Sequence, residues 1–107
     1  MELIISMLEA TGYTKIDDRD KNVFYSQHFL ETDDHYYCLD ISFPMNNECI
    51  IIPKYIDKNT KQETTIPIPK QYNNVINNTN VLQNLISLSI WIKQFAKRSN
   101  NKNNEMM

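Results

Sequence analysis

The sequence predicts an α+β domain in which an N-terminal helix, a four-stranded antiparallel meander and a C-terminal helix follow one another, with the C-terminal helix, and most simply both, packed on one sheet face. Two observations indicate this. Apolar residues recur at helical spacing at both ends of the chain, and strand-like segments separated by polar turns lie between them. With 107 residues, 41% of them hydrophobic and 22% charged, the chain has the size of a single domain. We expect this domain to span residues 1–98 and a disordered polar tail to occupy residues 99–107.

The first helix is predicted from Glu2 to Ala10. Leu3, Ile4, Met7 and Leu8 recur there at helical spacing. Gly12, the chain's single glycine, supplies a C-terminal stop because glycine adopts the left-handed conformation at little cost. A linker containing Asp17, Asp18 and Asp20 is expected to follow.

Four strands are predicted from aromatic, β-branched or alternating segments, and polar turns separate them. They cover residues 23–30, 36–43, 49–56 and 63–68. Pro67 and Pro69 make the fourth strand an edge or an exit, because proline has no N–H to donate to a neighbouring strand.

The pairing of the second and third strands is predicted from a two-residue turn at Asn46–Asn47, since asparagine tolerates positive φ. This turn places Ile41 opposite Ile52 and Phe43 opposite Ile50 on the helix-covered face. The opposite face would then carry an unusually aromatic and apolar set, near His28: Tyr36, Cys38, Ile51, Pro53 and Tyr55.

The C-terminal helix is predicted from Asn80 to Lys97. Asn80 and Gln83 resemble a capping box, and Ile90 falls on the side expected to face water. The remaining apolar residues follow the helical period: Val81, Leu82, Leu85, Ile86, Leu88, Trp91, Ile92, Phe95 and Ala96.

Composition bears on the source and compartment. Asn and Ile occur fourteen times each against one Gly and two Ala, a bias typical of AT-rich coding. Such coding is compatible with a phage or another mobile element. Because no run of about 18 apolar residues and no signal-peptide pattern is present, we expect a cytoplasmic protein with no membrane partner.

The cysteines and histidines do not form a convincing site. Cys38 and Cys49 would lie five or six positions apart along the hairpin, too far for a disulfide. A zinc site could draw on His28, His35, Cys38 and Cys49. A hairpin at residues 31–35 would place His28 opposite Cys38, but Cys49 would lie at the far end of the sheet, so such a site is disfavoured. We find no phosphate-binding loop or nucleophile–base motif either. We therefore predict no metal, no cofactor and no enzymatic activity.

A protein-interaction role is the leading hypothesis: an adaptor, accessory subunit or inhibitor that binds another protein or a second copy of itself. Residues 1–48 hold ten acidic and three basic residues, a balance of −7, whereas residues 49–107 hold three acidic and eight basic residues, a balance of +5. Such asymmetry steers association. The alternative to an interaction surface is that the N-terminal helix or the tail covers this aromatic face of the sheet. The predicted contact residues are Tyr36, Ile51, Tyr55, Asp33, Asp34 and Asp40.

The second hypothesis is an accessory protein that binds single-stranded nucleic acid. Lysines beside aromatic residues can contact phosphates while the aromatic rings stack on bases. The predicted residues are Lys54, Lys58, Lys61 and Tyr72. Against this hypothesis stands the formal net charge of −2, because dedicated nucleic-acid-binding domains are usually basic.

Overall fold

The computed structural model describes the backbone of residues 2–43 and 48–105, and these residues form two helices and six strands. The predicted α+β class is confirmed, although the strands outnumber the predicted four. Helix α1 spans Glu2–Ala10 and helix α2 spans Val81–Glu105. The strands are β1 Thr14–Asp18, β2 Val23–Phe29, β3 His35–Ser42, β4 Cys49–Asp57, β5 Glu63–Thr65 and β6 Val75–Ile76. A 3₁₀ helix, Arg19–Lys21, connects β1 to β2.

Helix α1 ends as the sequence predicts, with Gly12 at a φ of 97°. The Gly12 N–H donates to the Glu9 carbonyl at 3.2 Å, and the Tyr13 N–H donates to the Leu8 carbonyl at 2.9 Å. These two bonds form a Schellman motif, which satisfies carbonyls that the helix leaves without partners. Because Leu8 and Tyr13 are both buried in the core, the motif also fixes how the chain leaves α1.

The strands form one antiparallel sheet in the order β1-β2-β3-β4-β5, so each strand in this path pairs with its neighbour in the chain. Strand β6 also pairs with β4, through Cys49↔Ile76 and Ile50↔Val75. Strand β5 pairs with the other half of β4, through residues 63–65. Two short strands therefore share the outer edge of β4.

Strands β1 and β6 correct the sequence prediction. The expected linker after Gly12 is instead the edge strand β1, paired with β2 through Thr14↔Ser26 and Lys15↔Tyr25. Its first four residues are exposed, so no alternation of apolar and polar residues marks it. Strand β6 has two residues, which is too short for any period to show. Strand β5 lies at the edge of the sheet, as Pro67 and Pro69 predict, but it ends at Thr65 and not at the predicted residue 68.

Helix α2 is joined to β6 at its start. The Asn80 side-chain oxygen accepts the Asn77 N–H at 2.9 Å, and Asn80 Nδ2 donates to the Val75 carbonyl at 3.3 Å. The helix continues to Glu105, past the predicted end at Lys97 and into the predicted tail. Among the described residues, no helix combines the length and the apolar character needed to cross a membrane.

Both helices cover one face of the sheet, as predicted. Ile4 and Leu8 of α1 and Leu85, Leu88 and Ile92 of α2 belong to a single core, and each is at most 1% exposed. From the sheet, the same core receives side chains that alternate along the strands: Tyr25, Phe29, Tyr37, Leu39, Ile41, Cys49 and Ile51.

The predicted register of β3 and β4 is wrong by one residue. Ile41 lies opposite Ile51, Leu39 opposite Pro53 and Tyr37 opposite Tyr55. Because side chains alternate between faces, this shift turns the odd-numbered residues of β4 toward the helices. The proposed turn at Asn46–Asn47 lies outside the described residues.

Candidate functional site

The helix-free face of the sheet forms a groove of about 540 Å³. Its floor is made by Ser26, Cys38 and Asp40, which are at most 7% exposed. Ile16 of β1 and Ile56 of β4 line it from opposite sides of this floor, and Ile16 is 45% exposed. Because neither α1 nor α2 covers this face, the groove combines a buried floor with apolar side chains open to a partner.

Five side chains form a continuous polar network on this face. Ser26 Oγ donates to Asp40 Oδ1 at 2.7 Å, and Lys54 Nζ lies 2.9 Å from Asp40 Oδ2. Lys54 Nζ also lies 3.2 Å from Glu63 Oε1, and Lys21 forms an ion pair with the other oxygen of Glu63. The network crosses from β2 through β3 and β4 to β5 and returns to the 3₁₀ helix beside β1. The network therefore links β5, at one edge of the sheet, to the residues beside β1, at the other edge.

The central ion pair of this network is buried. The Lys54 and Asp40 side chains are 12% and 10% exposed. Burial lowers the pKa of Lys54, but hydrogen bonds to Asp40 and Glu63 outweigh it and leave this pKa above its ordinary value. The Lys21 hydrogen bond, more than that from Lys54, holds the pKa of Glu63 below its usual range. Both groups stay charged at neutral pH.

The Cys38 thiol is a poor nucleophile. Burial raises its pKa, and the neighbouring Asp40 carboxylate raises it further. A thiolate is the reactive form of cysteine, so Cys38 stays protonated and unreactive at neutral pH. His28 lies opposite Cys38 in the β2–β3 pairing, as predicted.

One end of the groove is built by aromatic stacking and an ion pair. The rings of His28 and Tyr36 stack with centroids 4.0 Å apart at an angle of 19°. His28 Nδ1 lies 3.3 Å from Glu31 Oε1, and the other Glu31 oxygen accepts from Lys58 Nζ at 2.7 Å. The hydrogen bonds from Lys58 and then His28 lower the pKa of Glu31.

The loop at 31–34, which we call the acidic loop, borders this end. The Lys58 N–H donates to the Asp34 carbonyl at 2.8 Å, so the loop is joined to the turn after β4. Asp33 and Asp34 are exposed. They therefore place negative charge on the loop that borders the groove.

Two of the six predicted contact residues do not reach this surface. Ile51 is fully buried, and Tyr55 faces the helices, with its ring centroid 5.3 Å from that of Tyr37. The one-residue register shift explains both corrections. Asp40 lies on the predicted face, but it is 7% exposed and paired with Lys54, so it belongs to the groove floor and is not an exposed contact residue. The structure brings together Tyr36 and the acidic loop.

The predicted nucleic-acid residues also separate. Lys54 is held by two carboxylates and Lys58 by Glu31, whereas Lys61 is exposed at the groove. Tyr72 packs toward α2, with its ring centroid 6.1 Å from that of Trp91. Two of the three lysines are therefore neutralised, and the aromatic residue lies on the helix-covered side.

Sequence reasoning missed Ser26, Lys21 and Glu63 as members of this site. One signal was available: a lysine in the middle of β4 needs a carboxylate on the same face, and Asp40 of β3 provides one only in the observed register. The two cysteines are free; Cys38 lies in the groove floor and Cys49 in the core. Within the part of the chain that the structure describes, no three His, Cys, Asp or Glu residues converge to hold a metal ion.

Comparison of the chain with protein-family models, with curated proteins and with solved structures finds no match. The geometry of the groove is therefore the basis for the function proposed below.

Proposed function

We propose that this protein is a non-catalytic interaction module, an adaptor, accessory subunit or inhibitor, that holds a basic segment of a partner protein in its helix-free groove. The observation that carries the proposal is the asymmetry of the sheet. Both helices pack on one face, and the other face has a groove of about 540 Å³ whose lining mixes charged side chains with Ile16, Tyr36 and Ile56. Concave surfaces that combine apolar side chains with fixed polar groups are typical binding sites.

The charges around the groove favour a polypeptide over a nucleic acid. Four acids and three lysines line it: Asp18, Asp40, Asp57, Glu63, Lys21, Lys58 and Lys61. A nucleic-acid strand presents a continuous row of phosphates and requires a surplus of positive charge. A peptide with alternating polar and apolar side chains matches this mixed lining better.

The acidic loop favours a partner segment that carries positive charge. Asp33 and Asp34 are exposed beside the Tyr36 end of the groove, and the first 48 residues carry the chain's −7 balance. A lysine or arginine of the partner would gain attraction there, while its apolar neighbour contacts Tyr36 and Ile56. Complementary charge of this kind contributes most to association rate and specificity.

The chemistry of the groove supports binding and not catalysis. Its buried charges are paired with one another, and its thiol stays protonated because burial raises the Cys38 pKa. A preorganised network of this kind holds the groove in shape before the partner arrives, which reduces the ordering that binding requires.

Selection of a random peptide library against the purified domain tests the proposal. We expect enrichment of peptides in which Lys or Arg neighbours a large apolar residue. A selected, fluorescently labelled peptide should lose about tenfold or more in affinity by anisotropy in Tyr36→Ala and in the double variant Asp33→Lys, Asp34→Lys. The control is Glu2→Lys with Glu48→Lys, which makes the same charge change at exposed acids outside the groove; its affinity should be unchanged.

Three results would overturn the proposal. One is a library that yields no basic, apolar consensus. The second is a selected peptide whose affinity is the same in the Tyr36 variant, the acidic-loop variant and the control, with circular dichroism showing all of them folded. The third is binding of a labelled single-stranded oligonucleotide with a steep dependence on salt, which would instead support the nucleic-acid hypothesis.

A further inference from the structure

A second surface lies on α2, away from the groove. Three large aliphatic residues are exposed on this helix at intervals of four: Leu82 at 45%, Ile86 at 48% and Ile90 at 52%. We call them the apolar stripe. Residues four apart follow one another along a ridge on the helix surface, and such ridges pack into the grooves of a facing helix. The stripe therefore has the geometry of a helix-packing surface.

The part of α2 that carries the stripe is uncharged. The segment from Val81 to Ile92 contains no acidic or basic residue, and its other exposed side chain is Gln83. A partner that relied on ion pairs would find no complement here. A surface that is neutral and apolar can instead approach a copy of itself without electrostatic repulsion.

We propose that the apolar stripe pairs with the same stripe of a second copy of this chain, in an antiparallel arrangement about a twofold axis at Ile86. In that arrangement Ile86 meets its own copy, and Leu82 of each chain meets Ile90 of the other. A twofold interface requires such self-complementary spacing. Lys93 and Lys97, which continue the exposed face beyond the stripe, then lie far apart at opposite ends of the contact.

The dimer is expected to be weak. Three half-exposed side chains on each chain cover well below the roughly 800 Å² per partner of a standard stable interface, so we expect a dissociation constant on the order of 100 µM. Because α2 lies on the face of the sheet opposite to the groove, pairing through the stripe leaves both grooves open. The dimer would present two copies of the groove, whether or not the function proposed for it holds.

Sedimentation equilibrium of the full chain between about 10 µM and about 1 mM tests the pairing. We expect the average mass to rise toward that of a dimer, and Ile86→Lys to return it to that of a monomer by placing two ammonium groups at the axis. Ile16→Lys is a matched control, since Ile16 is 45% exposed but lies at the groove. It should dimerise as the unmodified chain does.

Cross-linking tests the antiparallel geometry without relying on a buried charge. Under mild oxidation Ile86→Cys should give a disulfide-linked dimer. Leu82→Cys should not, because its two copies would be separated by about 12 Å along the helix axis, beyond the roughly 7 Å limit between Cα atoms. A chain that stays monomeric at about 1 mM, equal cross-linking of both variants, or loss of the dimer in Ile16→Lys alone would each overturn the proposal.

Discussion

The two faces of the sheet bury their side chains in different ways. On the helix-covered face the buried residues are apolar, and Leu39, Ile41 and Ile51 are fully enclosed by α1 and α2. On the helix-free face, Ser26, Asp40 and Ser42 are no more than 7% exposed, although neither α1 nor α2 lies above them. Asp40 is covered by a side chain of the sheet itself, Lys54, which pairs with it at 2.9 Å. Apolar packing therefore fixes one face of the sheet, whereas hydrogen bonds and ion pairs fix the other.

The largest effect should come from truncating the apolar core. Ile92→Ala removes a fully buried side chain of α2, so we expect a loss of about 2–5 kcal/mol in the free energy of unfolding. Ile90→Ala makes the same change on the same helix at a side chain that is 52% exposed and should cost less than about 0.5 kcal/mol. Urea unfolding at low protein concentration compares them. Equal losses in the two variants would show that the buried face of α2 is not what stabilises the fold.

The polar network should respond to substitution in another way. Lys54→Met leaves the Asp40 carboxylate buried without its ammonium partner, which should cost about 3 kcal/mol. Adding Asp40→Asn removes that charge and keeps an oxygen for Ser26, so most of the loss should be recovered. A double-mutant cycle by urea unfolding measures this coupling. Additive losses would mean that the network is held together by packing alone.

Each face contains one cysteine thiol, and both should make the protein less stable in alkali. Burial raises the pKa of both thiols above the ordinary value of 9.0, and the pKa of Cys49 reaches about 12. The stability that each buried thiol contributes is complete below the pKa of the thiol in the unfolded chain and is lost as the pH rises toward its pKa in the folded protein. The loss should be about 1 kcal/mol per thiol at one pH unit above 9.0. Replacing Cys38 or Cys49 with Val should make the decline shallower. An unchanged slope in both variants would contradict this assignment.

The smallest effect is expected in acid and belongs to the helix-free face. Lys21 and Lys54 lower the pKa of Glu63 below 4.5, so its contribution is present above that value and is lost as the pH falls through the folded pKa. Because Glu63 is one-third exposed, this contribution should be about 0.5 kcal/mol. Glu63→Gln should flatten the decline in stability measured by unfolding between about pH 5 and pH 3. Glu48→Gln, at an exposed glutamate, should leave the decline as steep as before.

The sequence predicts well those elements whose side chains repeat with a clear period. Helix α1 matches its predicted bounds, and Ile90 is exposed on α2 as its helical position indicates. Strand β1 was missed because its exposed residues show no such period, and β6 because two residues cannot show one. In each missed strand, pairing with a longer neighbour decides the structure, and local sequence does not reveal that pairing.

The candidate site was predicted in part, and the misplacement of Ile51 and Tyr55 has one cause. In β4, Ile50, Ile51 and Ile52 are adjacent, so hydrophobicity alone fits either register. The assumed turn at Asn46–Asn47 selected the wrong register and placed Ile51 and Tyr55 on the helix-free face. Charge would have decided correctly, because the predicted register sets Lys54 opposite Leu39, whereas the observed one brings it to Asp40. Tyr36 and the acidic loop do not depend on that choice, and they remain in the candidate site.

The edges of the sheet set how copies of this protein can meet. Strand β1 is interrupted by a bulge between Lys15 and Asp18, with Asp17 at a φ of 51°, and β5 leads directly toward Pro67 and Pro69. Such features make an edge a poor template for the backbone of another strand. Growth of the sheet from molecule to molecule, the first step toward fibres, is thereby disfavoured even in a concentrated solution. Reversible contacts between side chains are then the favoured route to self-association.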